Sequence, residues 1–486
     1  MATTSTISSL GIGSGLDANS IVTKLVALES QPITALQTAA SKIQTKISAY
    51  GQVQSAVSAV RDAARKLTSA DLWGSTTATS ADATSVNATT LAGAQAGTYS
   101  VDVRVLAKPQ SVVSNTALKP SDTPLGSGSF EIEVGTWTNT SFTAKDASTP
   151  IKVTVAATDT LADIRDKINS SGSGVKASII TDASGARLVM QSSTTGEASG
   201  FRVTAQDDDG DSLDGNGLSA LAYDPGAGTT GSTLTQAATD AVATINNIEV
   251  KSATNTLSEV VSGLTLNLSK VTTTATGPNP VNIVVGQDNA TITKAITDFA
   301  AAYSSMASLL KADTKYDESS KTAGPLQGDS GVLSVQNQFR SIMGGSSNAS
   351  STFNTLSAIG LEMQTDGTVK VNTTKLTSSL ANLGEVKKLF SNSDSADSAK
   401  DGVMTRLRAL GDQLLGTDGA LTTRTAGMNK SIKDNQTRQD ALQARVDLYE
   451  KRLRAQYSAL DTTMAGLSSQ GNYVTQMINS LNKSSS

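Results

Sequence analysis

The first stretch of the sequence whose composition could bind a ligand is the glycine-rich segment LGIGSGLD at residues 10–17. A dinucleotide-binding loop needs G-x-G-x-x-G between a strand and a helix, so that backbone N–H groups can approach a pyrophosphate. Here the glycines follow G-x-G-x-G, and no strand pattern precedes them. A P-loop would end in Lys-Ser or Lys-Thr, whereas the nearest lysine, Lys24, comes well after the turn. The spacing therefore favours a flexible entry into a helix over a nucleotide site.

The residue types that most often carry catalysis are missing, because the sequence has no histidine and no cysteine. This excludes Ser-His-Asp and Cys-His nucleophiles, zinc sites built on imidazole or thiolate, and disulfides. The only carboxylate cluster is DDDGDSLD at residues 207–214. Aligned as an EF-hand loop on Gly210, it has Ala205 at the first ligand position and no glutamate at the last. We expect a solvated turn there, and we predict no catalytic residue, no metal site, no cofactor and no enzyme activity.

Composition limits the other classes of function. The chain has 486 residues, more than one ordinary domain, and aromatic residues make up only 3% of it. Its net charge of −4 and the lack of a basic tract predict no nucleic-acid binding. No window approaches 18 consecutive apolar residues, so no membrane insertion is predicted. The N-terminus lacks the basic and apolar regions of a Sec signal, so export would need another route.

Both ends of the chain have helical periodicity. Asp17 is a candidate N-cap, and Pro32 separates a first helix ending near Ser30 from a second helix. Heptad seams follow in the second helix and near the C-terminus, and a final apolar helix is predicted beyond them. Because such a stripe needs a partner to bury it, we predict that the two seams pair, although two unrelated amphipathic helices on a globule would give similar patterns. The predicted interface residues are Leu36, Ile43, Ile47, Tyr50, Val57, Leu442, Val446, Tyr449, Leu453 and Leu460.

Between about residues 75 and 285 the apolar period changes to two, which indicates one or two β-rich domains. Thr160 and Asp163 form a capping box that predicts a short helix, and Thr256 with Glu259 forms a second such box. Helical spacing returns after Asp288. It includes one helix predicted over residues 376–390, and a hairpin is predicted around residues 366–367.

Taken together and in order, these segments resemble the flagellar filament cap family. SGLDANSIVTKLVALESQPITALQ at residues 14–37 is similar to the opening of that family, and residues 160–196 resemble the hook/flagellin IN motif. Further similar stretches are NTLSEVVSGLTLNL, GPLQGDSGVLSVQNQFRSIM and the C-terminal RVDLYEKRLRAQYSALDTTMAGLSSQGNYVTQMI. One departure is Asn246-Asn247, where the family leads us to expect an Asn-Gly turn.

The resemblance implies a multidomain α+β fold with long paired N- and C-terminal coiled-coil helices that form a leg. A helical domain with a β-hairpin and one or two β-rich head domains would be inserted between them. The expected divisions are residues 1–35 with 465–486 as a terminal leg segment, 36–74 with 286–464 as the helical coiled-coil domain, 75–110 with 240–285 as an inner head domain, and 111–239 as an outer head domain containing the IN motif.

The resemblance also implies a function at the distal tip of the bacterial flagellum. The chain would form a homo-oligomeric ring, by default a pentamer, that promotes folding and insertion of exported flagellin. Implied partners are flagellin, hook-filament junction proteins, a cytoplasmic export chaperone and the flagellar type III export apparatus. The residues assigned to filament insertion and export are Leu16, Ile21, Leu25, Leu28, Tyr473, Met477 and Ile478, with Pro32 as a hinge. Alternatives are another flagellar axial protein, either a hook-filament junction subunit or flagellin, or a secreted adhesin.

Overall fold

The computed structural model describes residues 17–91, 93–115, 124–145 and 149–484, with side chains as far as residue 480. These residues form two compact units, one within Met1–Leu72 and Thr293–Ser486 and the other within Trp73–Ile292. Among the described helices, none has both the length and the apolar character that crossing a membrane requires.

The described part of the chain contains ten α-helices. They are α1 (Ala18–Glu29), α2 (Gln31–Leu67), α3 (Ala70–Trp73), α4 (Leu161–Ser170), α5 (Asn289–Thr314), α6 (Ser330–Gly344), α7 (Thr373–Leu380), α8 (Leu383–Ser391), α9 (Val403–Leu415) and α10 (Ala420–Ser484).

The strands lie mostly between α3 and α5. They are β1 (Thr76–Ser80), β2 (Val86–Thr90), β3 (Gly97–Val105), β4 (Ser111–Ser114), β5 (Gly128–Thr138), β6 (Ser141–Ala144), β7 (Ile151–Val155), β8 (Val175–Asp182), β9 (Gly185–Ser192), β10 (Gly200–Asp207), β11 (Ser232–Gln236), β12 (Ala241–Ile245), β13 (Ile248–Ser252), β14 (Thr256–Val261), β15 (Leu264–Leu268), β16 (Val281–Gln287), β17 (Tyr316–Asp317), β18 (Thr322–Ala323), β19 (Leu361–Met363) and β20 (Val369–Val371).

In the helical unit, α2 packs against α9 and α10, and most of its buried residues lie in its second half. Its fully buried residues there follow the alternating spacing of three and four that a coiled-coil seam requires. They are Tyr50, Val53, Val57, Val60, Ala64 and Leu67. Where α2 crosses α9, Gly411 allows close contact, because a Cβ there would lie 2.7 Å from the Cβ of Arg61.

Two helix predictions in this unit need correction. The segment over residues 376–390 is two helices, α7 and α8, because the backbone leaves the helical region at Asn382 (φ −111°, ψ 59°). The predicted separate final helix is instead the end of α10, which runs without a break for 65 residues. No proline or capping signal interrupts the sequence there, so the helix continues.

The described residues of the β-rich unit form two hydrophobic cores. One lies between the five-stranded sheet β1-β16-β3-β12-β13 and the three-stranded sheet β14-β15-β2. The other lies between the sheet β11-β4-β9-β8 and the sheet in which β5 pairs with β10, β6 and β7. Helix α4 closes the second core with Leu161, Ile164 and Ile168. The division of the chain into four parts stays a prediction.

The capping box at Thr160 is confirmed, since Thr160 and Asp163 exchange side-chain to backbone hydrogen bonds at the start of α4. The similar box at Thr256 and Glu259 was wrong. Those residues belong to β14, where Leu257 pairs with Leu266 of β15. The pattern at Thr256 is not followed by an apolar stripe at helical spacing, and cross-strand burial of leucines decides the structure. The Asn246-Asn247 turn has φ values of 49° and 67°, the geometry of a type I′ hairpin.

In this unit, three side-chain amides form hydrogen bonds with backbone groups in strands or close to strand ends. Each accepts from the backbone N–H and donates to the backbone C=O of one residue, as a neighbouring strand would. The pairs are Asn169 with Ala177, Gln110 with Phe201, and Asn255 with Ala107. These contacts satisfy backbone groups that would otherwise be available for pairing with another chain.

Candidate interaction site: the terminal helices

Helix α1 begins at its predicted cap and packs by one face. The Asp17 carboxylate accepts a hydrogen bond from the backbone N–H of Ser20. Ala18 and Val22 are buried. Ser30, between α1 and α2, has right-handed helical backbone angles (φ −82°, ψ −11°), so the backbone stays in the right-handed helical region from α1 into α2.

Helix α1 runs antiparallel to α10 and contacts it over residues 445–454. The Arg445 guanidinium donates to the Glu29 carboxylate at 2.7 Å, and that of Arg454 donates to the side-chain oxygen of Asn19 at 3.3 Å. The sequence predicted that this C-terminal seam would pair with α2. Part of it lies against α1 instead, because α2 meets α10 nearer to the start of α10.

The contact between α2 and α10 contains a polar layer that the seam prediction missed. Asn435 is buried in the seam, and its amide donates to the backbone carbonyl of Leu36 at 3.1 Å. Gln439 donates to the Asn435 side-chain oxygen at 2.6 Å. A buried amide of this kind fixes the register of two helices, because sliding would leave it without a partner. The sequence contained an indication of this polar layer, since Asn435 and Gln439 continue the seam spacing of Leu442 and Val446 towards the N-terminus.

A second buried network joins three helices of the same unit. The Tyr50 hydroxyl of α2 donates to the Asp329 carboxylate at 2.8 Å, and Arg424 of α10 lies 3.4 Å from the other carboxylate oxygen. Asp329 also caps α6 by accepting from the backbone N–H of Gly331. Burial, reinforced by the hydrogen bond to Asp329, raises the pKa of Tyr50 to about 12. Burial opposes ionisation of Asp329, but the Tyr50 hydroxyl, the Gly331 N–H and Arg424 outweigh it and lower the pKa of that carboxyl.

The structure places most of the predicted interface residues on packed faces. Tyr50, Val57, Val446 and Leu453 are buried, whereas Leu36, Ile43, Ile47, Leu442 and Tyr449 are half-buried. Leu460 lies beyond the packed part of α10 and is 44% exposed. The role of each residue as an interface in the assembled protein stays a prediction.

The end of α10 has an apolar face that no described residue covers. We call Leu460, Met464, Leu467, Val474 and Ile478 the bare stripe, since they share one helix face and all are exposed. Tyr473 and Met477 flank it and are 68% and 55% exposed. All residues from 462 to 480 are exposed among the described residues.

The remaining predicted positions are at the other end of the chain. Ile21 and Leu25 are half-buried, and Leu28 is 61% exposed. Pro32 is exposed in the first turn of α2, and its role as a hinge stays a prediction. Leu16, like most of the LGIGSGLD segment, lies outside the described residues.

The acidic run at residues 207–214 forms turns rather than a cluster of ligands. The Asp207 carboxylate accepts from the backbone N–H groups of Leu218 and Ser219, and Asp214 binds Asn216. Within the described ranges, no three acidic side chains are arranged to hold a metal ion.

Three parts of the sequence match family models. Residues 14–110 match the N-terminus and residues 238–469 the C-terminus of flagellar hook-associated protein 2, and residues 141–194 match the flagellin hook IN motif. Flagellar hook-associated protein 2 of Escherichia coli (strain K12) is 31% identical over 97% of this chain and 97% of its own length. The chain belongs to the flagellar hook-associated protein 2 family. The family resemblance drawn from the sequence is therefore confirmed.

Other members of the hook-associated protein 2 family show the same extent of similarity. The B-type protein of Pseudomonas aeruginosa is 28% identical over 97% of this chain and 98% of its own length. Among solved structures, the D1-D2-D3 domains of the flagellar cap protein from Escherichia coli superpose with a TM-score of 0.59 and 30% identity, covering 78% of this chain and 99% of that chain. The predicted multidomain α+β fold is confirmed by this likeness.

Proposed function

We propose that the protein is the distal cap of the bacterial flagellar filament, an oligomer that promotes folding and insertion of exported flagellin at the growing tip. The observation that carries this proposal is the similarity to a hook-associated protein 2 over 97% of both chains. A relative with a solved structure is described as a flagellar cap protein. The names of these relatives are those of structural proteins, in keeping with the prediction that the chain is not an enzyme.

The bare stripe gives the proposal a physical basis. Contiguous exposed apolar residues mark interaction sites on soluble proteins, because leaving them in water costs about 25 cal/mol for each Å². A single helix without tertiary contacts is also marginal in water, since most helical stability comes from packing an apolar face. The end of α10 therefore needs a partner. In this proposal, that partner is a packed array of helices at the end of the filament.

The finer parts of the proposal rest on the family resemblance. The ring is a pentamer, and flagellin lies beneath it. The hook-filament junction proteins are the first structure on which the ring sits. A cytoplasmic chaperone holds the chain before the flagellar type III apparatus exports it without a Sec signal. Residues 1–35 with 465–486 form the leg segment, and Pro32 is the hinge at which this segment changes direction.

The test is complementation of a bacterial strain that lacks its own cap protein. Cells that receive this chain should assemble filaments, whereas cells with an empty vector should release flagellin into the medium as monomer. Continued release of monomer by cells that export the chain would contradict the proposal. Electron microscopy of the purified protein distinguishes the alternative axial proteins, since a cap forms a small closed ring and a junction protein or flagellin forms stacked layers or filaments.

A further inference from the structure

A small cavity lies within the β-rich unit. It has a volume of about 200 Å³, and its walls are Trp137, Tyr223, Leu234 and two alanines. Three polar side chains, those of Gln110, Asn139 and Glu197, complete the lining. Ligand sites typically combine apolar and aromatic walls with a few polar groups, but those for drug-sized ligands start at about 300 Å³. This cavity therefore has the size for one amino-acid side chain.

The aromatic walls are held in place by their surroundings. The Trp137 indole N–H donates to the backbone carbonyl of Phe201 at 3.0 Å, so its ring is fixed. Tyr223 meets Trp137 edge-on, with ring centroids 5.7 Å apart and an angle of 73° between the planes. Gly200 leaves room for the indole, because a Cβ there would lie 3.1 Å from Trp137 Cδ1. A pocket that exists before its ligand arrives binds with a smaller entropic cost.

The polar groups of the cavity differ in their hydrogen bonding. Gln110 is bound at both ends to the backbone of Phe201. In contrast, Tyr223 is only 7% exposed, yet its hydroxyl makes no hydrogen bond to any described residue. Glu197 is exposed, and its carboxylate makes no ion pair among the described side chains. The Glu197 carboxylate and the Tyr223 hydroxyl are therefore available to the polar end of a ligand.

The charges around the cavity are predominantly negative. Asp240 accepts the backbone N–H of Glu197 at 2.7 Å, and Asp224 adjoins Tyr223. Two cations lie nearby. Arg202 is already bound to Glu133 at 2.7 Å and lies 3.8 Å from Asp224. Lys108 is exposed, and its backbone is hydrogen-bonded to Gly196 and Thr239. A cation entering the cavity would therefore be attracted by a carboxylate that is not already neutralised.

We propose that this cavity binds the lysine side chain of a partner polypeptide. The aliphatic stem of the lysine packs against Leu234 and the alanines, and the ammonium group lies between Glu197, the Tyr223 hydroxyl and the aromatic walls. Lysine side chains bury their stems on apolar surfaces while their charged ends stay near polar groups. An ammonium group also binds favourably to the faces of Trp and Tyr rings.

Trp137 itself provides the readout, because the full chain has only one other tryptophan, Trp73. In a Trp73→Phe background, Trp137 emission is titrated with the tripeptide acetyl-Gly-Lys-Gly-amide and, separately, with the norleucine analogue of the same shape. We expect a saturable change with the lysine peptide and binding about tenfold weaker with norleucine. If Trp73→Phe does not fold, the full chain is titrated and Trp137→Phe provides the blank.

Two variants test the assigned groups. Glu197→Gln should weaken binding of the lysine peptide by about tenfold, and Tyr223→Phe by a smaller factor. Glu249→Gln is the matched control, because Glu249 is an exposed glutamate of the same unit that pairs with Arg104 outside the cavity, and it should leave binding unchanged. The assignment would be overturned if Trp137 emission did not saturate with the lysine peptide, or if the norleucine analogue bound equally well. It would also be overturned if Glu197→Gln bound the lysine peptide as tightly as the unchanged chain, or if a neutral sugar, titrated in the same way, bound more tightly than the peptide.

Discussion

The two parts of α10 have the same apolar spacing but opposite surroundings. From Leu421 to Leu453, the seam residues are buried or half-buried against α1, α2 and α9. From Leu460 to Ile478, the equivalent positions are exposed. Heptad spacing thus shows which residues share a face of the helix, but it does not show what covers that face.

Polar residues distinguish the two parts. The packed part is fixed by Asn435, by the ion pair of Arg445 with Glu29, and by the network around Asp329. Residues 458–480 contain only one charged side chain, that of Asp461. Without charges or buried amides to select one partner and one register, an apolar stripe can pack in more than one surrounding. This property suits the proposed binding of this helix to the end of a filament to which subunits are added.

The largest effect on the packed part is expected for Asp329→Ala. The change leaves the buried Tyr50 hydroxyl without its acceptor and removes the cap of α6, so we expect a loss of about 3 kcal/mol in the free energy of unfolding. Urea denaturation followed by circular dichroism at 222 nm would measure it. Asp298→Ala is the control, because Asp298 is exposed and, among the residues that the structure describes, pairs with Lys294 on the same helix. Its loss should be about 0.5 kcal/mol or less. Equal losses would show that the network does not stabilise the packed part.

The next largest effect is the difference in the free energy of unfolding between alanine variants of two leucines in one seam. Leu453→Ala removes a side chain that is 8% exposed, so we expect a loss of about 2 kcal/mol. Leu460→Ala changes a side chain that is 44% exposed and should cost less than about 0.5 kcal/mol. The same denaturation experiment checks both variants. If Leu460→Ala were as costly as Leu453→Ala, the free chain would cover Leu460, and the contrast between the two parts would fail.

A smaller difference in stability is expected between alanine variants of two helical glycines. Alanine favours a helix over glycine by about 1 kcal/mol at both Gly411 and Gly471. At Gly411 the new methyl group would meet Arg61, and overpacking costs about 1–3 kcal/mol, so Gly411→Ala should lower stability. At Gly471 nothing lies within 4 Å of a Cβ, so Gly471→Ala should raise the helix signal and leave the unfolding midpoint unchanged or higher. Destabilisation by Gly471→Ala would reveal a contact with the end of α10.

The smallest effect is a dependence on pH. The pKa of Asp329 is lower in the folded protein than its ordinary value of 3.8, which applies to the unfolded chain. Its contribution to stability is therefore complete above that value and is lost as the pH falls towards the folded-state pKa. Denaturation midpoints between pH 6 and pH 3 should decline less steeply for Asp329→Asn than for the unchanged chain. Parallel profiles would mean that Asp329 does not contribute to acid unfolding.

The sequence predicted the elements that depend on local patterns. The strands at Tyr99 and Phe130 and the cap at Thr160 follow from alternation and capping chemistry within a few residues. The box at Thr256 failed because the same four-residue pattern also fits a strand when leucines pair across a hairpin. Local pattern alone cannot decide between these two structures.

Features that depend on contacts between distant segments could not be predicted. The sequence showed seams at both ends, but the register that places Arg445 beside Glu29 follows from three-dimensional packing. The cavity around Trp137 was missed for the same reason, since Tyr223 and Glu197 lie far from Trp137 in the sequence. The bare stripe was visible as a pattern, but its exposure was not.

The most direct measurement is filament assembly with variants of the bare stripe in a strain that lacks its own cap protein. The variant Met464→Asp/Leu467→Asp introduces charge on the stripe, and the control Thr462→Asp/Ser469→Asp introduces the same charge at exposed polar positions of the same helix segment. Both proteins should be exported and should have the circular dichroism spectrum of the unchanged chain. We predict filaments of normal length with the control and monomeric flagellin in the medium with the stripe variant. Normal filaments with the stripe variant would contradict the claim that this face binds the filament.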